Sequence, residues 1–239
     1  MNFEFSEEQQ MLRDQARSYL TQHCPTTLVR RVLNNRETHD ADLYKGIAEM
    51  GWTATTIPEE YGGLGMSHLE LVVIAEELGR ACAPVPFSST VYLAAEAIMA
   101  LGTEAQKQAW LPKLADGSAI GCFALGEAGG AVTPDQISTS IADGVINGTK
   151  VPVADGGIAD VAIVVCKSDG GDGATLALVD LSQDAVAKDN VQMIDFSRGH
   201  SELTFNGACA EVLWEEGAGW AAVESLMNSA AILFAWEQI

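Results

Sequence analysis

Basic residues are scarce in this sequence. It has 13 lysines and arginines against 33 aspartates and glutamates, which gives a formal net charge of -20 at pH 7. A surface this acidic repels phosphate backbones and anionic lipid head groups. We therefore expect neither nucleic acid nor a membrane surface among the partners of the protein.

Long apolar runs, a basic leader and paired cysteines are also missing. No run approaches the ~20 apolar residues that cross a bilayer, and the opening residues MNFEFSEEQQ are acidic where a signal peptide is basic and then apolar. The scattered cysteines show no CxxC spacing, which indicates neither a zinc site nor a disulfide framework. We expect an uncleaved, soluble, cytoplasmic protein with free thiols and no metal. Those cysteines are Cys24, Cys82, Cys122, Cys166 and Cys209.

Recognisable catalytic motifs are absent as well. The four histidines are isolated and match no HExxH spacing, so each is read as a surface or capping residue. No GxSxG marks a nucleophile elbow. The glycine-rich residues 126–130 (GEAGG) lie between predicted strands, with no helix N-terminus to hold a pyrophosphate. Composition and motifs alone do not identify a reaction.

The first half of the chain has helical signals. A content of 48% hydrophobic and 19% charged residues is typical of a folded protein. Capping boxes are predicted at Ser6 with Gln9, Ser67 with Glu70 and Thr103 with Gln106. Glycines at C-cap positions are predicted at Gly51, Gly79 and Gly102. These signals predict an all-α domain over residues 1–117.

The next hundred residues have the short period of strands. Asp143 and Gly144 separate two β-prone runs, which is a strong hairpin signal. Residues 162–166 and 175–179 flank a turn rich in glycine and aspartate. Short strands joined by turns at close spacing predict an antiparallel β-sandwich or barrel over residues 118–218. The whole chain is therefore predicted to be α+β.

A helical pattern returns over residues 219–239. The apolar positions of this segment follow the helical period, and Trp236 falls near the last turn. An apolar helix needs a partner to cover it. We expect this segment to be the first helix of a truncated C-terminal helical bundle, covered either by the rest of that bundle or by another subunit.

Two smaller features have both structural and functional interpretations. The loop 57–65 (IPEEYGGLG) is either a long connection, which composition favours, or a binding loop. Asp195 and Arg198 form either a structural ion pair or a ligand contact. Trp214 and Trp220, on either side of residues 215–219, are expected to pack in the core.

Taken in order, the segments resemble the acyl-CoA dehydrogenase family over nearly the whole chain. The most specific match joins residues 50–52 (MGW), 57–65 (IPEEYGGLG) and 76–80 (EELGR), because spacing and residue types agree across all three. Residues 3–13 resemble the first helix of the family, and residues 101–117 resemble the last helix before its β domain. Residues 124–127 (ALGE), 147–150 (NGTK) and 159–160 resemble its flavin-facing strands.

The resemblance implies three domains with FAD between the last two. In this family a glutamate abstracts the α-proton of an acyl-CoA thioester while the β-hydride goes to flavin N5. It also implies an acyl-CoA substrate, electron-transfer flavoprotein as a partner, and a homo- or hetero-oligomer. Family members place the glutamate either late in the third domain or, earlier in the sequence, in the first helix of that domain. The late position lies beyond Ile239, and the early position holds Ser229 and Ala230, so no catalytic residue is assigned.

The flavin site implied by the resemblance has lost most of its polar side chains. The usual threonine of the first segment is replaced by Gly126, and the glycine–serine pair that usually follows it is replaced by Ala131 and Val132. On the second strand Pro152 and Ala154 replace the usual tryptophan and threonine. Main-chain groups of residues 123–132 and 152–154 are then left to contact the ring. The predicted cofactor-binding residues are Phe123, Leu125, Gly126, Ala131, Val132, Pro152, Val153 and Ala154.

Two functions follow from these changes. One is an FAD-dependent acyl-CoA dehydrogenase, an oxidoreductase of lipid metabolism acting on fatty acid or steroid side-chain thioesters. The other is a non-catalytic partner subunit with a degenerate flavin site in a heteromeric dehydrogenase. Glu127 and Lys150 are predicted to be structural. A flavin-dependent monooxygenase of the same fold is a third possible function, which no residue favours.

Overall fold

The structure is a computed structural model that describes residues 5–130, 133–168, 173–213 and 219–239. Helices form its first half, strands follow, and one long helix comes last. The helices are α1 (Glu7–His23), α2 (Thr26–Asn35), α3 (Ala41–Glu49), α4 (His68–Arg80), a π-helix (Ser88–Ala95) that continues into α5 (Glu96–Leu101), α6 (Glu104–Ala115) and α7 (Trp220–Glu237). The strands are β1 (Gly121–Ala124), β2 (Ser140–Ala142), β3 (Val145–Ala154), β4 (Val161–Ser168), β5 (Ala174–Asp180), β6 (Val186–Val191), β7 (His200–Cys209) and β8 (Glu211–Leu213).

The predicted helix caps are largely confirmed. Complete capping boxes begin α1, α4 and α6. Gly102 caps α5, and Gly51 follows the last residues of α3. The prediction that Gly79 is a C-cap is wrong, because α4 continues to Arg80 and its C-cap is Ala81. Gly79 instead faces the last turn of α7, where a Cβ would lie 1.7 Å from the carbonyl oxygen of Glu237.

The sheet confirms the α+β class and adds two parallel pairings to the antiparallel ones. Its order is β6-β7-β3-β2-β4-β5-β8, and β1 pairs with β4. β1 and β2 run parallel to successive parts of β4, while the other neighbours are antiparallel. The predicted β2–β3 hairpin turns at Asp143 and Gly144, with φ angles of 48° and 74°. Positive φ at both positions is what a type I′ turn requires.

The sheet has apolar side chains on both faces. Ile163 and Val165 of β4 pack with Phe123 and helical residues in one cluster. Ala162 and Val164 point the other way and pack with Leu203 of β7. Side chains of β3 and β7 therefore meet those of β4 and β5 in one interior, as expected when a sheet curls towards a barrel.

The final helix is covered more fully than the sequence predicted. Its buried residues are Val223, Leu226, Ala230 and Leu233, and α7 packs against α4 and the π-helix of the same chain. The Trp236 ring lies 6.0 Å from that of Phe5. The same chain therefore covers one face of this helix, while Met227 and Ile232 are 37% and 60% exposed on the rest of it. That the remainder of a bundle or another subunit covers those residues stays a prediction. The domain limits at 117/118 and 218/219 stay predictions.

Among the described residues, the loop 57–65 is an ordered connection. A short 3-10 helix spans Glu59–Tyr61, and the amide of Gly65 donates to the Ile57 carbonyl at 2.9 Å. The Tyr61 hydroxyl donates to Glu104 at 2.8 Å, which joins the loop to α6. Trp220 packs partly buried against the core as predicted, whereas Trp214 lies outside the described residues.

Candidate functional site

The structure brings together the two segments predicted to face the flavin. The amide of Val151 in β3 donates to the carbonyl of Gly126 at 2.9 Å. A Cβ on Gly126 would lie 3.1 Å from the carbonyl oxygen of Val151, so a larger residue would press on β3. Phe123 is buried at the end of β1, and Leu125 packs half-buried beside it. The end of β1 and the middle of β3 therefore form one surface.

The three predicted residues of β3 have different surroundings. The pairing of β3 with β7 shifts register between Lys150 and Val153, and Pro152 is exposed there. Val153 is fully buried inside the curled sheet, so its side chain is not available to a ligand. Ala154 is half-buried and lines a cavity. Ala131 and Val132 lie outside the described residues.

A buried ion pair supports the surface formed by the end of β1 and the middle of β3. Lys150 is completely buried, and its Nζ donates to Glu127 Oε1 at 2.7 Å and to the Leu125 carbonyl at 3.1 Å. The amides of Ser138 and Thr139 donate to the same carboxylate at 2.8 and 3.0 Å, and the Ser138 hydroxyl donates to it too. The prediction that Glu127 and Lys150 are structural is confirmed by these contacts.

The carboxyl group of Glu127 has an unusually low affinity for protons. Burial by itself would raise its pKa, but the hydrogen bonds from Lys150, Ser138 and Thr139 outweigh burial and lower the pKa to about 2. Glu127 is therefore ionised at neutral pH and is a much weaker base than an ordinary carboxylate. Its charge serves to fix the loop after β1.

The predicted site offers a flavin ring main-chain and apolar surface, but few free hydrogen-bonding groups for the polar edge of the ring. The carbonyls of Leu125 and Gly126 already accept hydrogen bonds from Lys150 and Val151. Proline at 152 has no amide hydrogen, and glycine and alanine at 126 and 154 carry no hydroxyl. The absent side chain at Gly126 leaves room for the Val151 carbonyl, whereas the small side chain of Ala154 borders a cavity. Main-chain groups and apolar surface would have to hold a flavin ring here.

The cavity beside Ala154 has a volume of about 390 Å³ and lies where β3, the π-helix and the end of α7 meet. A volume of several hundred Å³ is typical of ligand pockets. Its lining includes the apolar side chains of Leu93 and Phe234 and the charged side chains of Arg198 and Glu237. This cavity is the candidate substrate site.

Arg198 pairs with Glu237 of α7. Its Nη2 donates to Glu237 Oε1 and its Nη1 donates to the Ser88 hydroxyl. The prediction of an Asp195–Arg198 ion pair is wrong, because Asp195 accepts instead from the amide of Ser197 at 2.8 Å. The Arg198 side chain extends past the turn at residues 195–197 and reaches the final helix, α7.

A second buried carboxyl group lies behind Ala154. Asp155 is 3% exposed, accepts from the Ser89 hydroxyl at 2.6 Å, and donates its amide to the Gly199 carbonyl at 2.8 Å. Burial raises its pKa, and the Ser89 hydrogen bond and the charge of Arg198 oppose that rise. Asp155 therefore fastens the end of β3 to the π-helix and to the segment before β7.

The early position of the catalytic base contains no carboxylate. Ser229 is exposed and Ala230 is fully buried. The sequence interpretation missed Glu237, which lies seven residues after Ala230 and hence two turns along the same helix face. That spacing is the signal that would have found it. Burial raises the pKa of Glu237, and Arg198 opposes the rise.

Other classes of site are absent from the part of the chain that the structure describes. No cluster of histidine, cysteine, aspartate and glutamate there has the geometry to hold a metal ion. No described helix combines the length and apolar character needed to pass through a bilayer.

Known proteins resemble this chain in sequence and in fold. Acryloyl-CoA reductase (NADH) of Anaerotignum propionicum is 33% identical over 171 residues, covering 69% of this chain and 43% of the relative. Mitochondrial isovaleryl-CoA dehydrogenase of Pongo abelii is 32% identical over 170 residues, covering 69% and 40%. The structure of butyryl-CoA dehydrogenase from Megasphaera elsdenii superposes with a TM-score of 0.87 at 25% identity, covering 99% of this chain and 66% of that one.

The chain thus spans less than half the length of these two curated relatives. Residues 6–118 match the model of the acyl-CoA dehydrogenase N-terminal domain. The match of sequence in the helical half agrees with the superposition of nearly the whole chain. This protein belongs to the acyl-CoA dehydrogenase family.

Proposed function

We propose that this chain provides the helical and β domains of an FAD-dependent acyl-CoA dehydrogenase acting on a fatty acid or steroid side-chain thioester. The observation that carries the proposal is the cavity beside Ala154, which lies between β3, the π-helix and α7. FAD, when bound, accepts the hydride from the β-carbon of the acyl group. The chain then has to hold the ring flat and keep the acyl group against it.

In this proposal the cofactor is held mainly by main-chain groups. Residues 123–126 and 152–154 line the ring, and Ala131 and Val132 continue the first of these segments. The Glu127–Lys150 pair keeps the loop after β1 in place, since five hydrogen bonds converge on its charged groups. A rigid support of this kind limits the entropy lost when a ligand binds.

A second candidate is a non-catalytic partner subunit. It is favoured by one specific observation: neither Ser229 nor Ala230 can accept a proton, and no hydroxyl remains at positions 126, 152 and 154. In that case a catalytic subunit supplies the base and part of the flavin site. Electron-transfer flavoprotein as electron acceptor, an oligomeric assembly and a cytoplasmic location are parts of the proposal for either role.

Restoring a hydroxyl at Ala154 tests where the ring lies. In Ala154→Thr of the full-length protein we expect FAD to bind about fivefold more tightly, because one added hydrogen bond contributes about 1 kcal/mol. The measurement is quenching of flavin fluorescence during titration with the protein. The gain is expected with or without a partner subunit, in whichever form binds FAD.

Ala142→Thr is the matched control, since Ala142 is exposed on β2, a strand that lies outside the proposed site. It is expected to leave FAD affinity unchanged. Equal affinities of wild type, Ala154→Thr and Ala142→Thr would show that Ala154 does not face the ring.

A further inference from the structure

Two cavities meet near the end of α7. The first is the cavity beside Ala154, whose surface is mainly apolar and includes Leu93 and Phe234. The second, the Cys82 cavity, has a volume of about 170 Å³ and lies between the ends of α4 and α7 and the segment before β7. Among the described residues, Arg198 and Glu237 are the two that line both cavities. The ion pair between them therefore lies on the boundary.

The Cys82 cavity would accept hydrocarbon if a ligand could reach it. Apart from the shared ion pair, its described lining consists of Leu78, Gly79, Cys82, Ala83 and Ser197. None of these is an aspartate, glutamate, lysine, arginine or histidine. An alkyl chain that entered the cavity would leave water for a largely apolar surface, which is favourable. The charged groups that separate the two cavities are the one part of this path that does not suit an alkyl chain.

Several contacts hold the ion pair in place. Arg198 donates through Nη2 to Glu237 Oε1 and through Nη1 to the Ser88 hydroxyl. The Glu237 carboxyl also interacts with the buried Tyr92 hydroxyl. The main chain of Glu237 rests against Gly79, where a Cβ would lie 1.7 Å from the Glu237 carbonyl oxygen. Separating a largely buried ion pair leaves uncompensated charge, so an alkyl chain cannot move these side chains apart at small cost.

We propose that the Arg198–Glu237 pair is the end wall of the cavity beside Ala154 and sets the longest acyl chain that this cavity accepts. The acyl chain contacts Leu93 and Phe234 and ends where it meets the pair, while the Cys82 cavity beyond the pair stays closed to it. This inference rests on the proposed function, because it takes the cavity beside Ala154 to receive the acyl part of a CoA thioester.

The first test is calorimetric binding of straight-chain thioesters, from butyryl-CoA to hexadecanoyl-CoA, to the full-length protein. We expect the affinity to rise about fourfold for each added methylene group up to one chain length, and to rise no further beyond it. A constant gain through hexadecanoyl-CoA would overturn the end wall while leaving the proposed function in place. Failure of the protein to bind any of the thioesters would instead count against the proposed function.

The double variant Arg198→Ala with Glu237→Ala removes the wall without leaving either charge unpaired. We expect its affinity to keep rising about fourfold for each methylene group beyond the wild-type limit. Lys45→Ala with Glu49→Ala is the matched control, since that exposed pair lies on α3 and borders neither cavity. It should keep the wild-type limit. The same limit in the Arg198 and Glu237 double variant would overturn the proposal.

Cys82 reports directly on the cavity beyond the wall. Cys82 and Cys209 are both exposed, and only Cys82 lines this cavity. In the Arg198→Ala, Glu237→Ala variant we expect saturating hexadecanoyl-CoA to slow alkylation of Cys82 by iodoacetamide several-fold, measured by peptide mass spectrometry, while Cys209 reacts at an unchanged rate. In the wild type both cysteines should react as they do without ligand. Protection of Cys82 in the wild type would overturn the wall, and this result does not depend on the folding of any variant.

Discussion

Replacing Glu127 with glutamine is expected to lower the free energy of unfolding by about 3 kcal/mol at neutral pH, because a buried cation loses its counter-charge. The Lys150 side chain is 0% exposed, and the carboxylate 2.7 Å away is its only anionic partner among the described residues. Urea unfolding monitored by circular dichroism measures the effect. Glu49→Gln is the matched control, since Glu49 is 69% exposed and its pair with Lys45 is worth little.

The pH dependence of stability tests the same interaction independently. The folded-state pKa of Glu127 is about 2, below the ordinary value of 4.5, so its contribution is present at neutral pH and is lost as pH falls from about 5 to about 2. The stability difference between wild type and Glu127→Gln should therefore narrow over this interval. A constant difference across that range would contradict the proposed role of the carboxylate charge.

Replacing Gly79 with alanine is expected to destabilise the protein by about 2–3 kcal/mol through overpacking, although alanine favours a helix over glycine by about 1 kcal/mol. The added Cβ would lie 1.7 Å from the carbonyl oxygen and 2.6 Å from the carbonyl carbon of Glu237. These are main-chain atoms of α7, which cannot move without shifting the whole last turn. Urea unfolding gives the stability, and hydrogen exchange should show faster opening of α7.

Gly46→Ala is the control for this prediction because it makes the same change inside another helix. A Cβ at Gly46 would meet the hydroxyl of Tyr19 at 1.9 Å. That atom is the end of a side chain, which can turn aside at a smaller cost than a main-chain shift. Equal stability losses at the two glycines would show that α7 is not held tightly against α4.

Local signals account for the part of the fold that the sequence predicted. Capping boxes at Ser6, Ser67 and Thr103 and the Asp143–Gly144 turn depend on residues at most three positions apart. The parallel pairing of β1 and β2 with β4 joins residues far apart in sequence, and no local pattern marks it. Gly79 shows the same limit, since the element that it meets lies over 150 residues away.

The sequence predicted only part of the candidate site, because the rest depends on contacts between residues far apart in the chain. The resemblance identified the two strand segments, and Gly126 and Val151 are hydrogen-bonded where those segments meet. It did not identify the ion pair between Arg198 and Glu237, because the short spacing of Asp195 and Arg198 suggested a local partner instead. Whether Val153 faced a ligand or the core was also beyond a local pattern, since it depends on the register shift between β3 and β7.

The most direct test of the proposed function is the visible absorption spectrum of the full-length protein, purified alone and with candidate partner subunits, before and after anaerobic addition of acyl-CoA. We predict a flavin spectrum that acyl-CoA bleaches, in the protein alone if it is a self-sufficient dehydrogenase and only with its partner if the site is shared. A protein that is colourless in every combination would contradict the assignment of FAD and with it the proposed function.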